Sequence, residues 1–349
     1  MLIYWLLFAY FAIGALLACS IASGTRRPNV LFTLGAVFMI GLIGLRYKVG
    51  GDWLEYQFMY QHTGQVDLTR AMTIGDPAYQ AISWLCYQIG FDIWLVNIVC
   101  AAIFVWGLYR FSQSQRCPWL CILVSIPYMV IVVAMGYTRQ AAALGIIMAG
   151  IAAVTRGGST LRFSLYVVFA ALFHKTAIII FPIVAISSGR NRAVNLLIVI
   201  TTGIFLYDVF LGNSMDRFVS GYLVARYSAQ GAVIRVLMTA FSGGLFFILR
   251  QSLKFNDVER KIWRNFSISS MIALFIVIYI PSSAAVDRIS LYLIPLQVAV
   301  LGNLPQCSKS PQFATVVVTT YCFAVEFVWL NFAQFAYLWV PYHFFPFSV

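Results

Sequence analysis

Charge is what this sequence has least of. Asp, Glu, Lys and Arg together make up 10% of its 349 residues, against roughly 25% in soluble domains, and that excludes a water-soluble fold. Histidine occurs three times, and no HExxH, CxxC or Walker loop is present. The usual marks of a zinc hydrolase, a thiol redox pair and a nucleotide-binding loop are therefore missing. Seven cysteines are present, with Cys19, Cys100, Cys121 and Cys322 inside apolar runs and Cys86, Cys117 and Cys307 near run ends, so no disulfide framework is drawn. Acids are scarcer than bases, 11 against 23. The resulting charge of +12 does not argue for a nucleic-acid partner. The bases stand in the gaps between apolar runs, where they act as topology signals.

What the chain has in plenty is apolar side chains, 62% of the residues. Runs near the ~20 residues that cross a ~30 Å hydrocarbon core lie at about 1–22, 29–46, 93–112, 117–135, 138–155, 160–173, 174–188, 193–211, 232–250, 265–281, 287–304 and 312–332. The expected fold is all-α, one polytopic transmembrane bundle over 1–349 of about twelve spans with both termini outside. The first run lacks a basic segment before it and is followed by Arg26 and Arg27, so it is expected to be a span and not a cleaved signal peptide. Residues 160–188 are either two short spans or a re-entrant pair. Counting them as one span would turn Arg250, Lys254, Arg260, Lys261 and Arg264 outward, against the positive-inside rule.

This topology puts fourteen of the 23 bases on the cytoplasmic side and eight of the 11 acids outside. The longest outer loop is 47–92. Within it, DPAYQAISWLCYQIG carries apolar residues at helical spacing and predicts an amphipathic helix near 77–91 lying on the outer surface.

Polar clusters reach the outer face from separate parts of the chain, the usual way a site between helices is assembled. Arg139 stands at a tight turn between two spans, where a charge is costly unless paired or useful, although an arginine there can also snorkel to headgroups. Its planar fork suits phosphate. His174 and Lys175 interrupt an otherwise apolar stretch, and a histidine there is a candidate general base. Asp52 and Glu55 are three apart after Gly50-Gly51, able to activate a hydroxyl or to pair with Arg46 or Lys48. Asp287 and Arg288 open a late span, with an ion pair between the two as the plain alternative. Arg217, Arg226 and Arg235 share an outer loop, where contact with lipid headgroups is common. Glu326, inside the last span, is expected to be a satisfied interior carboxyl.

At these residues the chain resembles the EpsG/Wzy family of polysaccharide polymerases. The likeness rests on R-Y-x-V-G-x-D-x-x-x-Y (Arg46, Tyr47, Val49, Gly50, Asp52, Tyr56), on the R-Q pair Arg139-Gln140, on F-H-K-T-A from Phe173 to Ala177, and on the late D-R of Asp287-Arg288. The resemblance implies a GT-C-like, metal-independent glycosyltransferase of the bacterial inner membrane, needing no cofactor. Such an enzyme moves a growing glycan from undecaprenyl diphosphate to the sugar of a second carrier-linked repeat unit on the periplasmic face, with a chain-length regulator protein as a candidate partner. In that scheme Arg139 stabilises the departing diphosphate, His174 or Asp52 takes the acceptor proton, and Arg46, Tyr47, Glu55, Tyr137, Gln140, Lys175, Arg226, Arg235, Asp287 and Arg288 bind diphosphate or glycan. A ligase or other membrane transferase, or a transporter of lipid-linked sugars, are the alternatives.

Overall fold

A computed structural model of the protein describes residues 1–18, 30–187, 192–206, 208, 229, 231–279 and 283–347. Arg26, Arg27, Arg190, Asp216, Arg217 and Arg226 lie outside the described residues. Among those described, all regular structure is helical, and one isolated bridge pairs Arg46 with Phe344.

In chain order the helices are α1 (Leu2–Ala18), α2 (Val30–Gly44), α3 (Trp53–Gly64), α4 (Leu68–Ile74), α5 (Pro77–Gln88), α6 (Ile93–Ser112) and α7 (Pro118–Ser125). Then come α8 (Thr138–Thr155), α9 (Thr160–Phe173), α10 (Ile180–Ala185), α11 (Arg192–Leu206) and α12 (Ala232–Leu249). The last four are α13 (Asp257–Tyr279), α14 (Ser283–Ser290), α15 (Pro295–Asn303) and α16 (Pro311–Phe332). The chain is a multi-pass helical membrane protein. Among the described residues, α6, α8, α12, α13 and α16 are each long and apolar enough to cross a membrane. A sixth crossing is available if α14, its 3-10 extension and α15 act as one span bent by 45°, with Pro295 at the bend, where it has no N–H to donate. Six more apolar helices of 10–17 residues occupy the remaining expected segments. Length and composition thus account for five or six of the twelve crossings.

Helix α8 is the axis of the bundle, buried along nearly its whole length. Glycine makes that possible. A Cβ on Gly107 would lie 1.8 Å from the Gly145 carbonyl oxygen, so α6 and α8 touch backbone to backbone, the small-residue contact that packs membrane helices. On another side, a Cβ on Gly150 would sit 2.9 Å from Tyr166 Cβ, so α9 also packs closely. α7 continues as a wide π-helical stretch, Ile126–Ala134, opening at Pro127, where one helical donor is missing.

The segment 160–188 is a hairpin of two short helical arms, Thr160–Phe173 and Lys175–Ala185, broken at His174 in an extended conformation. The amphipathic helix expected near 77–91 forms as α5, Pro77–Gln88. Tyr79, Gln80, Ser83 and Cys86 are buried against protein, while Leu85 is exposed. Leu54 and Phe58 of α3 and Met72 of α4 also point outward. The loop 47–92 is therefore a three-helix unit, packed on the bundle through Trp53, Tyr56, Tyr60, Ala71, Tyr79 and Cys86.

Candidate functional site

The site is built where helix ends meet. The polypeptide leaves α2 at Gly44, passes Arg46 and turns at Gly50 into α3. Gly50 has φ +105°, and a Cβ there would lie 2.4 Å from the Met135 carbonyl oxygen. Only glycine lets this turn rest on the one that precedes α8. Gly136, in that second turn, packs under the ring of Trp339, 2.8 Å from where its Cβ would be. The two turns thus present Asp52 and Arg139 side by side.

Arg139, in the first turn of α8, donates from Nη1 to Asp76 Oδ2 at 2.9 Å. Its guanidinium faces the rings of Tyr56 at 5.6 Å and Tyr79 at 6.0 Å. His174 comes from the break after α9, and its Nδ1 stands 3.5 Å from the same Asp76 oxygen. Asp76 is the residue just before Pro77 of α5, and it joins three distant parts of the chain at one carboxylate. Burial alone would lift its pKa, but the hydrogen bond from His174 with the nearby charges of His174, Arg139 and Lys175 outweighs burial and holds it below the ordinary carboxylate value.

Beside this group, Arg288 Nη2 lies 3.8 Å from Asp52 Oδ2, and its guanidinium stacks on Tyr137 at 4.6 Å. Gln140 Nε2 donates to the Arg288 carbonyl at 2.6 Å, tying α8 to α14. Asp52 is shifted the other way from Asp76. Burial raises its pKa and the exposed Glu55 adds to that, against the lowering pull of Arg288 and Arg139. The pair expected between Asp287 and Arg288 does not form. Asp287 takes a two-pronged hydrogen bond from Arg235, Nε and Nη2 each at 2.8 Å, while Arg288 turns to Asp52, because adjacent helix positions point some 100° apart.

Access separates the residues the sequence grouped together. The side chains of Arg139, His174, Asp52 and Arg288 are 23%, 17%, 27% and 35% exposed, so an incoming anion can reach them. Arg46 is 1% exposed. It donates to the Ile43 carbonyl at 2.6 Å, to Asn97 Oδ1 at 3.2 Å and to Thr138 Oγ1 at 2.7 Å, with Trp53 beneath it at 5.9 Å. Its neighbours are neutral acceptors, and it reaches the start of α8 through Thr138, next to Arg139. Tyr47 packs against Trp53 and Phe345, with Lys48 over its ring. Glu326 is fully buried and neither of its oxygens finds a hydrogen-bond partner among the described residues, which departs from the satisfied carboxyl expected.

Asp76 is the residue that sequence reasoning passed over. It looks like a helix start before proline, yet its side chain makes no capping hydrogen bond. An acid just before a proline-led helix in the longest loop was the available signal. At the opposite ends of the same helices a polar cleft of 170 Å³ gathers Arg116, Arg156, Lys254 and Asn303. There Arg116 donates to the Lys254 carbonyl and Arg156 to the Gln113 carbonyl, the usual use of cations at helix C-termini.

The family model described as EpsG family matches residues 29–344. No curated protein and no solved structure matches the chain.

Proposed function

The chain belongs to the EpsG family, whose members are membrane proteins of the polysaccharide-polymerase type, and we propose on that footing that it polymerises a glycan from lipid-linked repeat units. The donor is a growing glycan on undecaprenyl diphosphate, the acceptor is the terminal sugar of a second carrier-linked unit, and the reaction runs on the periplasmic face of the bacterial inner membrane. The observation that carries the reading is the convergence of Arg139, Asp76 and His174, from three separate elements, on one partly open carboxylate-centred cluster.

In this scheme Arg139 faces the donor diphosphate, with Arg288 and Lys175 adding positive charge as the leaving group separates. His174 is the base. With Nδ1–H turned to Asp76, Nε2 is left to accept a proton, and the carboxylate steadies the imidazolium that results. The acceptor hydroxyl oxygen attacks the anomeric carbon, the bond from that carbon to the diphosphate oxygen breaks, and the proton passes to His174. The glycan leaves on the acceptor and the lipid diphosphate departs with the electron pair. Arg46 acts one layer back, holding Thr138 and so the start of α8. Asp52, with its raised pKa and its contact to Arg288, positions that arginine. Tyr137, Gln140 and the Arg235–Asp287 pair keep α8, α12 and α14 in register around the acceptor.

Arg139→Ala tests the reading directly. Cells carrying it should hold normal amounts of the protein in the membrane and make only single repeat units. Wild-type ladders from this variant would remove Arg139, and the polymerase mechanism built on it, from consideration.

A further inference from the structure

Directly below the cluster lies a groove of 460 Å³ lined by Ala102, Ile103 and Trp106 of α6, Ile146 of α8, and Tyr166, Phe169 and Phe173 of α9. It is an apolar trough whose floor is the recessed α8, with α6 and α9 as its walls. The glycine contacts described above hold it in that form, pressing both walls onto α8 at Gly145 and Gly150. Trp106 and Phe169 are exposed on its rim, so it opens sideways towards lipid. Its size falls within the ~300–1,000 Å³ of small-molecule sites.

Its position gives it meaning. Phe173, at one end, is the residue before His174. Ile146, on the floor, is seven residues past Arg139 on α8, two turns along the same face and ~10 Å lower at 1.5 Å per residue. The groove runs on from Phe173 to Tyr166, a further seven residues down α9. Cationic groups therefore stand at its head and bare hydrocarbon along its length. That order matches a molecule with a phosphate headgroup and one long hydrocarbon chain.

We propose that this groove binds the isoprenoid chain of a lipid-linked phosphate, seating its headgroup at Arg139 and His174. The proposal rests on the polymerase reading for the identity of the lipid. Its physical content is that one chain class is preferred by one groove, and this can be measured without any glycan.

The full-length protein, in nanodiscs of phosphatidylcholine, is titrated with undecaprenyl phosphate and separately with phosphatidic acid, which carries a phosphate on two acyl chains, and retained lipid is read by native mass spectrometry. Undecaprenyl phosphate should be retained at least tenfold better. Ile146→Trp on the floor and Ala102→Trp on the wall should each erase that preference, and Ile248→Trp, exposed on α12, which lends no residue to the groove, should leave it intact. Equal retention of the two lipids by the wild type would overturn the proposal, as would an undiminished preference in both groove variants. Assaying polymer from purified lipid-linked units separates this idea from the one beneath it. A groove-dependent preference in a protein that makes no polymer leaves the groove standing and the polymerase reading fallen. Polymer made with no groove-dependent preference does the reverse.

Discussion

Asp76→Asn is the change that most sharply divides structure from chemistry. The amide has the size of the carboxylate, and α5 loses no cap because Asp76 makes no capping hydrogen bond. What disappears is one negative charge that both Arg139 and His174 face. Breaking a buried ion pair typically costs ~3–5 kcal/mol, but three features reduce that here. Arg139 is 23% exposed, the amide oxygen can still accept its hydrogen bond, and the rings of Tyr56 and Tyr79 remain at 5.6 and 6.0 Å. Each ring offsets roughly 0.5–1 kcal/mol, leaving a stability loss of about 1–2 kcal/mol.

The effect on rate is larger. Without the carboxylate nothing steadies the imidazolium of His174, and the loss of a positioned base is on the order of 10²–10⁴-fold. Purified variant and wild type are compared by initial rates of glycan transfer and by thermal melting in the same detergent. The expected result is a folded protein, a few degrees less stable and at least a hundredfold slower. Because Asp76 titrates below the ordinary 3.8, its contribution to stability is complete above that value and lost as pH falls through the lower folded-state value. The melting difference should therefore shrink as pH falls below 3.8. A folded Asp76→Asn protein that transfers within threefold of wild type would refute the assignment of His174 and Asp76 together.

The remaining predictions address the supports of the site. Asp52→Asn should melt progressively higher relative to wild type as pH rises above the ordinary value of 3.8, because a raised folded-state pKa gives stability that is full below that value and lost above it; a flat or falling difference would contradict the burial of that carboxyl. Arg46→Lys cannot reach Ile43, Asn97 and Thr138 together from a single ammonium and should cost about 2–4 kcal/mol, seen in melting and in membrane abundance; a wild-type melting curve would show the buried fork to be dispensable. Gly50→Ala meets both a positive φ and the Met135 carbonyl and should destabilise by more than about 2 kcal/mol, with transfer activity falling in step.

The helical class, the order of apolar segments and the break at His174 were all legible, because hydrophobic runs and their interruptions are local properties of the chain. Arg139, Asp52, Arg288 and His174 were legible for a related reason: an ionisable group at a span end stands out against an apolar background. Partnership was not legible. Asp287 and Arg288 are neighbours in sequence and separate in space, and only the crossing of α12 with α14 reveals that Arg235 claims one and Asp52 the other. Arg46 and Arg139 look equivalent in sequence, yet one is sealed behind Thr138 and the other faces outward, a distinction set by packing depth. Helix α5 was legible as amphipathic, but what its faces meet was not, since the period fixes a face and does not say what lies beyond it.

Packing depth also explains how a site made of turns can hold charges steadily enough for the proposed transfer. Turns are ordinarily the mobile parts of a fold, and a guanidinium that wanders loses most of its value to a developing anion. Here the turns are fixed from two sides. From inside, Arg46 holds the end of α2 to the start of α8 through Ile43 and Thr138. From outside, the segment after α16 returns across them: Tyr47 N–H donates to the His343 carbonyl, Phe345 N–H to that of Leu45, and Gly50 N–H to that of Leu338. Trp339 lies on Gly136 and donates from Nε1 to the Ile131 carbonyl at 2.8 Å. Residues 338–345 thus brace, from the side opposite Arg46, the turns that carry Asp52 and Arg139.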